Sequence, residues 1–157
     1  MTIGRFYGGV GALLWCPSTR KYLILRRSAD KDFGGGAWEC VTGRVDQGEG
    51  FSEAVRREVR EELGVEAQVD LLLGLTHFYR GEASPENELV GVYFSCTIEN
   101  AEVIHLSWEH SEARWVTAEE ASQLLPASHW LAETIRRAET MRTLLPSALL
   151  EHFRSWF

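Results

Sequence analysis

The chain has 157 residues, 45% of them hydrophobic, with a formal net charge of −7 and a pI near 5.3. That length and apolar content suit a single domain spanning 1–157 with its own core. The acidic balance argues against a broad electrostatic grip on DNA or RNA, which needs a basic surface. Cys16, Cys40 and Cys96 are odd in number and lack CxxC spacing, so they predict buried reduced thiols and neither a disulfide framework nor a zinc site. There is no run of about 18 apolar residues, and the start MTIGRFYGG lacks the charged-then-apolar order of a signal peptide. A cytoplasmic protein with no membrane partner is the expectation.

In chain order, Gly8 to Cys16 (GGVGALLWC) and Tyr22 to Arg26 (YLILR) are short apolar runs with Pro17, Ser18 and Thr19 between them, the pattern of two paired strands and a turn. After Arg26 and Arg27 comes SADKDFGGG, whose consecutive glycines favour a loop bordering a site. Trp38 to Thr42 (WECVT) predicts one brief strand that delivers the chain to Gly43.

Gly43 to Val65, GRVDQGEGFSEAVRREVREELGV, holds the densest chemistry. A helix should begin with Gly50 or Ser52 at the N-cap and end at Gly64, a residue suited to the left-handed position past a helix terminus. At about 100° per residue, Phe51, Val55, Val59 and Leu63 form one apolar arc. Glu53, Arg56 and Arg60 lie opposite, and Glu58, Glu61 and Glu62 fall on the flank. Carboxylates three and four residues apart repel one another unless a cation sits among them. The pattern therefore predicts a divalent metal site at the edge of the buried face.

Further on, Ala67 to Arg80 reads as a strand interrupted at Gly74, and Leu89 to Ile98 as a strong strand after the polar turn GEASPENE. Ala113 to Val116 is a last short strand. Thr117 with Glu120 makes a capping box for a helix that Pro126 closes, and Ser128 to Leu145 carries Leu131, Ile135, Ala138, Met141 and Leu145 at helical spacing before Pro146. The tail LLEHFRSWF puts Leu149, Phe153, Trp156 and Phe157 on one helical face, which would pack on its own domain or form a dimer contact. Strands, helix, strands, helices is an α/β pattern with a mixed sheet between helical layers.

Gly43, Glu49 and the run Arg57-Glu58-Val59-Arg60-Glu61-Glu62-Leu63-Gly64-Val65 resemble the Nudix box with every defining position filled, a pattern far more specific than a lone GxGxxG. The resemblance implies an α/β/α sandwich and a pyrophosphohydrolase that uses Mg2+, with Mn2+ a possible substitute. Water attacking a diphosphate must approach a phosphorus screened by negative oxygens, and magnesium neutralises that charge. Carried over, Glu58 and Glu62 are metal ligands, Glu61 a third ligand or a partner of one, and Thr42 a donor of its backbone carbonyl. Arg57 holds a glutamate in place, and Glu49 braces the loop or binds a further metal. The general base is Glu58 or a glutamate outside the box.

Arg26 and Arg27, Trp38 with Val41, Thr42 and Gly43, and Glu109, His110 and Trp115 in EHSEARW are similar to the bacterial dihydroneopterin triphosphate pyrophosphatases. This match makes Glu109 a metal ligand or base, with Glu112 its rival, and puts Arg26, Arg27, Thr42 and Trp38 at the substrate. It leaves His110 as a loop hydrogen-bonding residue. The SADKDFGGGA loop and the stretch between His77 and Glu88 depart from that group, both where a substrate would be selected. Phe33, Tyr93 and Trp38 are candidates for stacking on a base or pterin, although strand aromatics usually belong to a core. The implied partner is a small nucleotide-like molecule, nucleoside or pterin triphosphate being favoured over a nucleotide sugar or dinucleoside polyphosphate. The protein would act as a monomer or homodimer. A nucleotide-sensing module of the same fold is the alternative from another class, and its sequence mark, a degenerate box, is absent. An isopentenyl diphosphate isomerase would need a catalytic cysteine in a setting that WECVTG does not match. RNA decapping is disfavoured by the acidic charge.

Overall fold

The computed structural model describes residues 4–31 and 33–157. The first three residues of the N-terminal stretch and Asp32 of the glycine-rich loop lie outside the described residues. Among the described residues seven strands form one mixed sheet: β1 Tyr7–Cys16, β2 Lys21–Arg27, β3 Trp38–Glu39, β4 Val41–Arg44, β5 Gln68–Tyr79, β6 Glu88–Thr97 and β7 His110–Val116. Four helices pack on it, α1 Phe51–Leu63 on one face and α2 Ala118–Leu124, α3 Trp130–Leu144 and α4 Ser147–Arg154 towards the other. This is the α/β/α sandwich. No helix among the described residues is long and apolar enough to cross a membrane.

Alternation along the strands builds the two cores. On β1, Val10, Ala12 and Leu14 join Val55, Val59 and Leu63 of α1, while Leu13 and Trp15 join Leu131, Ile135 and Ala138 of α3. Each of the three fully buried α1 side chains contributes about 1.5–3 kcal/mol. Gly50 stands at the N-cap with its N–H donating to Glu53 Oε2 at 2.8 Å, and Gly64 ends α1 in the left-handed conformation at φ 68°. Phe51, expected in the apolar arc, is instead 47% exposed, because the first turn of α1 projects beyond the core; Ala54 takes the buried position.

β1 and β6 run parallel, and the other pairings are antiparallel. β1 and β2 pair only next to their turn, at Trp15–Tyr22 and Cys16–Lys21, and β4 then takes β1 while β3 takes β2. The stretch expected as one strand is thus two, broken at Cys40, because it fills a wedge with a different partner on each side. β7 is longer than expected and begins at His110. The interruption expected in β5 is present as register shifts around Asp70 and Leu73.

The tail folds back on its own sheet. Leu150 and Phe153 pack on the α3-side core, and Phe157 meets Phe94 edge-on at 5.3 Å. Leu149 and Trp156, expected on the same buried face, are exposed, since the helix turns its Leu150–Phe153 side inward. Arg56, expected in solvent, donates to the Phe157 carbonyl at 2.7 Å. Fully buried Asp70 accepts from Thr97 Oγ1 and Arg154 Nε, both at 2.7 Å, which ties α4 to β5. The three cysteines are free and buried.

Candidate functional site

Arg57 organises the exposed edge of α1. Its Nε and Nη2 make a bidentate pair with Glu49, both at 2.9 Å; Nη1 donates to Glu58 at 2.8 Å and Glu61 at 3.3 Å; and Nη2 also donates to the Arg44 carbonyl at 2.7 Å. These bonds hold the Glu49 carboxyl below its usual range and raise Arg57. The helix period separates the three box glutamates more than expected. Glu62 is buried in the core-facing side, Glu58 is largely covered, and Glu61 has 59% of its side chain in solvent.

Behind the helix, Gly43 of β4 lies so close to Glu58 that a Cβ there would collide with its carboxyl group. Glu39 of β3, which no motif in the sequence marks, enters the same space. Its Oε1 accepts from Arg27 Nη1 and bonds His110 Nε2, both at 3.0 Å, and its Oε2 accepts from Thr42 Oγ1 at 3.2 Å. His110 is no loop residue: its side chain is 1% exposed, and its Nδ1 faces Glu62 Oε2 at 3.7 Å. Burial, then the charges of Glu39, Glu58 and Glu109, push the Glu62 carboxyl well up, against a hydrogen bond from the Thr42 backbone. Burial likewise raises Glu58, opposed by Arg57.

Glu109 arrives from the loop that precedes β7. That loop is fixed to the end of α1, where His105 N–H donates to the Leu63 carbonyl and Ser107 N–H to that of Glu62, both at 2.8 Å. These bonds satisfy carbonyls that a helix terminus otherwise leaves unpaired. The Glu109 charge is felt at both Glu58 and Glu62. Its carboxylate is held by Lys31 at 2.8 Å, whose ammonium also sits 3.7 Å over the Trp108 ring. Ser28 completes the clasp, its N–H donating to the Glu109 carbonyl at 2.8 Å and its hydroxyl to the Trp108 carbonyl at 2.9 Å. Glu112 pairs instead with Arg26 at 3.7 Å and Arg114 at 2.5 Å.

Trp38 precedes Glu39 and therefore faces the other side of the sheet, where it packs on the α3-side core with Arg26 and Arg114 over its ring. Arg26 is half exposed, but Arg27 is turned inward, its Nε donating to the Phe33 carbonyl at 2.8 Å and its Nη1 to Glu39. The expectation that Arg27 meets substrate is thus at odds with its partners, which are internal. Phe33 stacks on Phe78 at 6.1 Å, and Tyr93 stacks on Trp130 at 5.1 Å. Tyr93 is covered on its other side by Gly11, where a Cβ would strike the ring. Burial pushes the Cys40 thiol well up, which suits an inert packing group.

Among the described residues no three of these groups form a ready cage for a metal, since Arg57 draws Glu49, Glu58 and Glu61 to itself and Lys31 holds Glu109. Two observations nevertheless fit a hard divalent cation. Glu62 Oε2 is buried without a hydrogen-bond partner, a costly state for a carboxylate oxygen. The nearby donors are carboxylate oxygens, the type magnesium and manganese take. Glu39 stands four residues before Gly43, outside the box, and no local pattern marks it; its bonds to Arg27 and His110 are tertiary.

The family follows from comparison. The NUDIX domain model matches residues 6–138, and the chain belongs to the Nudix family. Its members in general use divalent metal ions. The asymmetrical bis(5'-nucleosyl)-tetraphosphatase of Mus musculus is 36% identical over 109 residues, covering 68% of this chain and 71% of that protein. An octanoyltransferase of Myxococcus xanthus is 31% identical over 118 residues, covering 75% of this chain and 32% of that protein. The dihydroneopterin triphosphate diphosphatase of Escherichia coli (strain K12) is 35% identical over 60 residues, covering 38% of this chain and 37% of that protein. The match thus spans about a third of the length of each of the last two proteins. In three dimensions it is similar to the MutT protein from Methanosarcina mazei Go1, with a TM-score of 0.71, 26% identity and coverage of 90% of this chain and 99% of that one.

Proposed function

We propose that this protein is a magnesium-dependent pyrophosphohydrolase acting as one domain on a small nucleoside or pterin triphosphate. The observation that carries the reading is Glu62 Oε2, buried and unpaired on the helix that also bears Glu58, within reach of the Glu109 charge. Magnesium bound there supplies charge neutralisation for the phosphate oxygens. Glu58 and Glu62 would hold it, with Glu61, 59% exposed, a further carboxylate donor. Arg57 orients Glu58 and braces the box loop through Glu49.

Glu109 serves as the general base in this reading, because its charge reaches Glu58 and Glu62 while Glu112 is committed to Arg26 and Arg114. It takes a proton from the attacking water as a new P–O bond forms and the P–O bond of the anhydride breaks, so pyrophosphate leaves with the electron pair. Lys31, at the Glu109 carboxylate, offers positive charge to the phosphate chain. Trp38, covered by two guanidinium groups on the other side of the sheet, stays a packing residue in this reading. The mouse relative, a tetraphosphatase, keeps a dinucleoside polyphosphate in contention.

The test is a panel of dihydroneopterin triphosphate, nucleoside triphosphates, nucleotide sugars and dinucleoside polyphosphates, read by pyrophosphate and phosphate release with wild type and Glu58→Gln. Expected is pyrophosphate from a triphosphate, lost by orders of magnitude in a folded Glu58→Gln protein. Metal-dependent binding with no product from any compound would instead favour a nucleotide sensor.

A further inference from the structure

Glu62, His110 and Glu39 come from α1, β7 and β3, far apart in the chain, yet they form one buried line. Glu62 is 3% exposed and the His110 side chain 1%. Two atoms in this line are buried without a hydrogen-bond partner, Glu62 Oε2 and His110 Nδ1, and they face each other at 3.7 Å. That separation is within ion-pair range but beyond the roughly 3.2 Å of a hydrogen bond. The other ring nitrogen is anchored, Nε2 at 3.0 Å from Glu39 Oε1. Glu39 is itself fixed at both oxygens, by Arg27 at 3.0 Å and by Thr42 Oγ1 at 3.2 Å. The ring therefore cannot turn about its axis without giving up the Glu39 bond, and its free edge is directed at the Glu62 carboxylate.

We infer that His110 and Glu39 are positioning residues that set the orientation of the Glu62 carboxylate towards the divalent metal. The inference rests on the metal reading given above and adds to it the groups behind the ligand. Carboxylate ligands are held in orientation by outer partners, and losing one of those partners costs about 10- to 100-fold in metal affinity. His110 is not assigned as a ligand, because magnesium takes oxygen donors in preference to imidazole. Arg27 belongs to the same line: its guanidinium fixes Glu39, which accounts for an arginine turned away from the surface.

Side-chain geometry separates the two ends of the ring. Gln at 110 can reach Glu39 from the position of Nε2 but leaves the Nδ1 position empty, whereas Asn keeps a polar atom near Nδ1 and gives up Glu39. The experiment is Mn2+ titration, followed by the spin resonance of free Mn2+, on wild type, Glu62→Gln, His110→Gln, His110→Asn, Glu39→Gln and the Glu62→Gln/His110→Gln double variant, each checked for a cooperative melt. Expected is about 10- to 100-fold weaker Mn2+ binding in His110→Gln and Glu39→Gln, partial recovery in His110→Asn, and no further loss when His110→Gln is added to Glu62→Gln. Unchanged affinity in the folded His110 and Glu39 variants overturns the inference, as does a loss in the double variant equal to the sum of the singles. Glu62→Gln that binds Mn2+ like wild type would instead remove the metal reading itself.

Discussion

At the scale of single residues, the tightest constraint is at Gly43, where backbone and carboxylate share space that no other side chain fits. Adding a methyl group there drives the Glu58 carboxyl away from its place beside Arg57. Gly43→Ala is expected to fold, because Glu58 is a flexible side chain that can swing outward, and to lose most of its turnover. Comparing the melting curve with kcat checks this, and near-normal kcat would show that Glu58 works from elsewhere. Such a constraint was legible only in part. The glycine belongs to a recognisable box, but the reason for it is contact between a strand and the helix that follows. Glu39 was not legible, since its bond to His110 joins residues 71 apart and nothing in WECVTG announces it. Glu61 and Glu62 are neighbours in sequence, yet one is in solvent and the other buried; the helical period placed both on the flank and could not rank their depth.

Among elements, α1 was the easiest to read from sequence, because its caps and its four-residue apolar spacing are local. β3 and β4 were the hardest, since strand breaks depend on which neighbours the chain meets. The loop between β2 and β3 shows how an irregular segment can take part in chemistry. Lys31 holds Glu109 and lies over Trp108, so the loop is clasped to the opposite wall by the same carboxylate that is proposed to act on water. A triphosphate offers Lys31 a stronger partner than one carboxylate, and its arrival would release Glu109. Lys31→Met is therefore expected to raise KM several-fold for triphosphates. Steady-state kinetics on a triphosphate checks this, and an unchanged KM would leave Lys31 as a loop fastener alone. A cation over an exposed ring contributes about 0.5–1 kcal/mol, so that part of the clasp costs little to open.

Over the whole molecule, the carboxylates set stability against function. Glu58 and Glu62 have carboxyls raised above the usual 4.5 in the metal-free protein, so the folded state binds more protons than the unfolded chain there. The stability they contribute is full below that value and is lost as pH rises through the raised ones. Glu39 and Glu49 are depressed below 4.5 and act in the opposite sense, their contribution being present above that value and lost as pH falls. Glu62→Gln, which removes the most buried of the raised pair, should melt above metal-free wild type, with the gap widening as pH rises above 4.5. Scanning calorimetry across that range checks the sign, and a gap that narrows with pH would refute it.

The wedge between β1 and β2 has a further consequence. Side chains on its short strands alternate between two faces, so Trp38 goes to the aromatic side and Glu39 to the acidic side, and a shift of one residue would exchange them. The six residues from Trp38 to Gly43 therefore behave like a reading frame. Their number matters more than most of their identities, and this short segment should resist insertion or deletion far more than the longer loop before it, which can change length without altering which side faces the carboxylates.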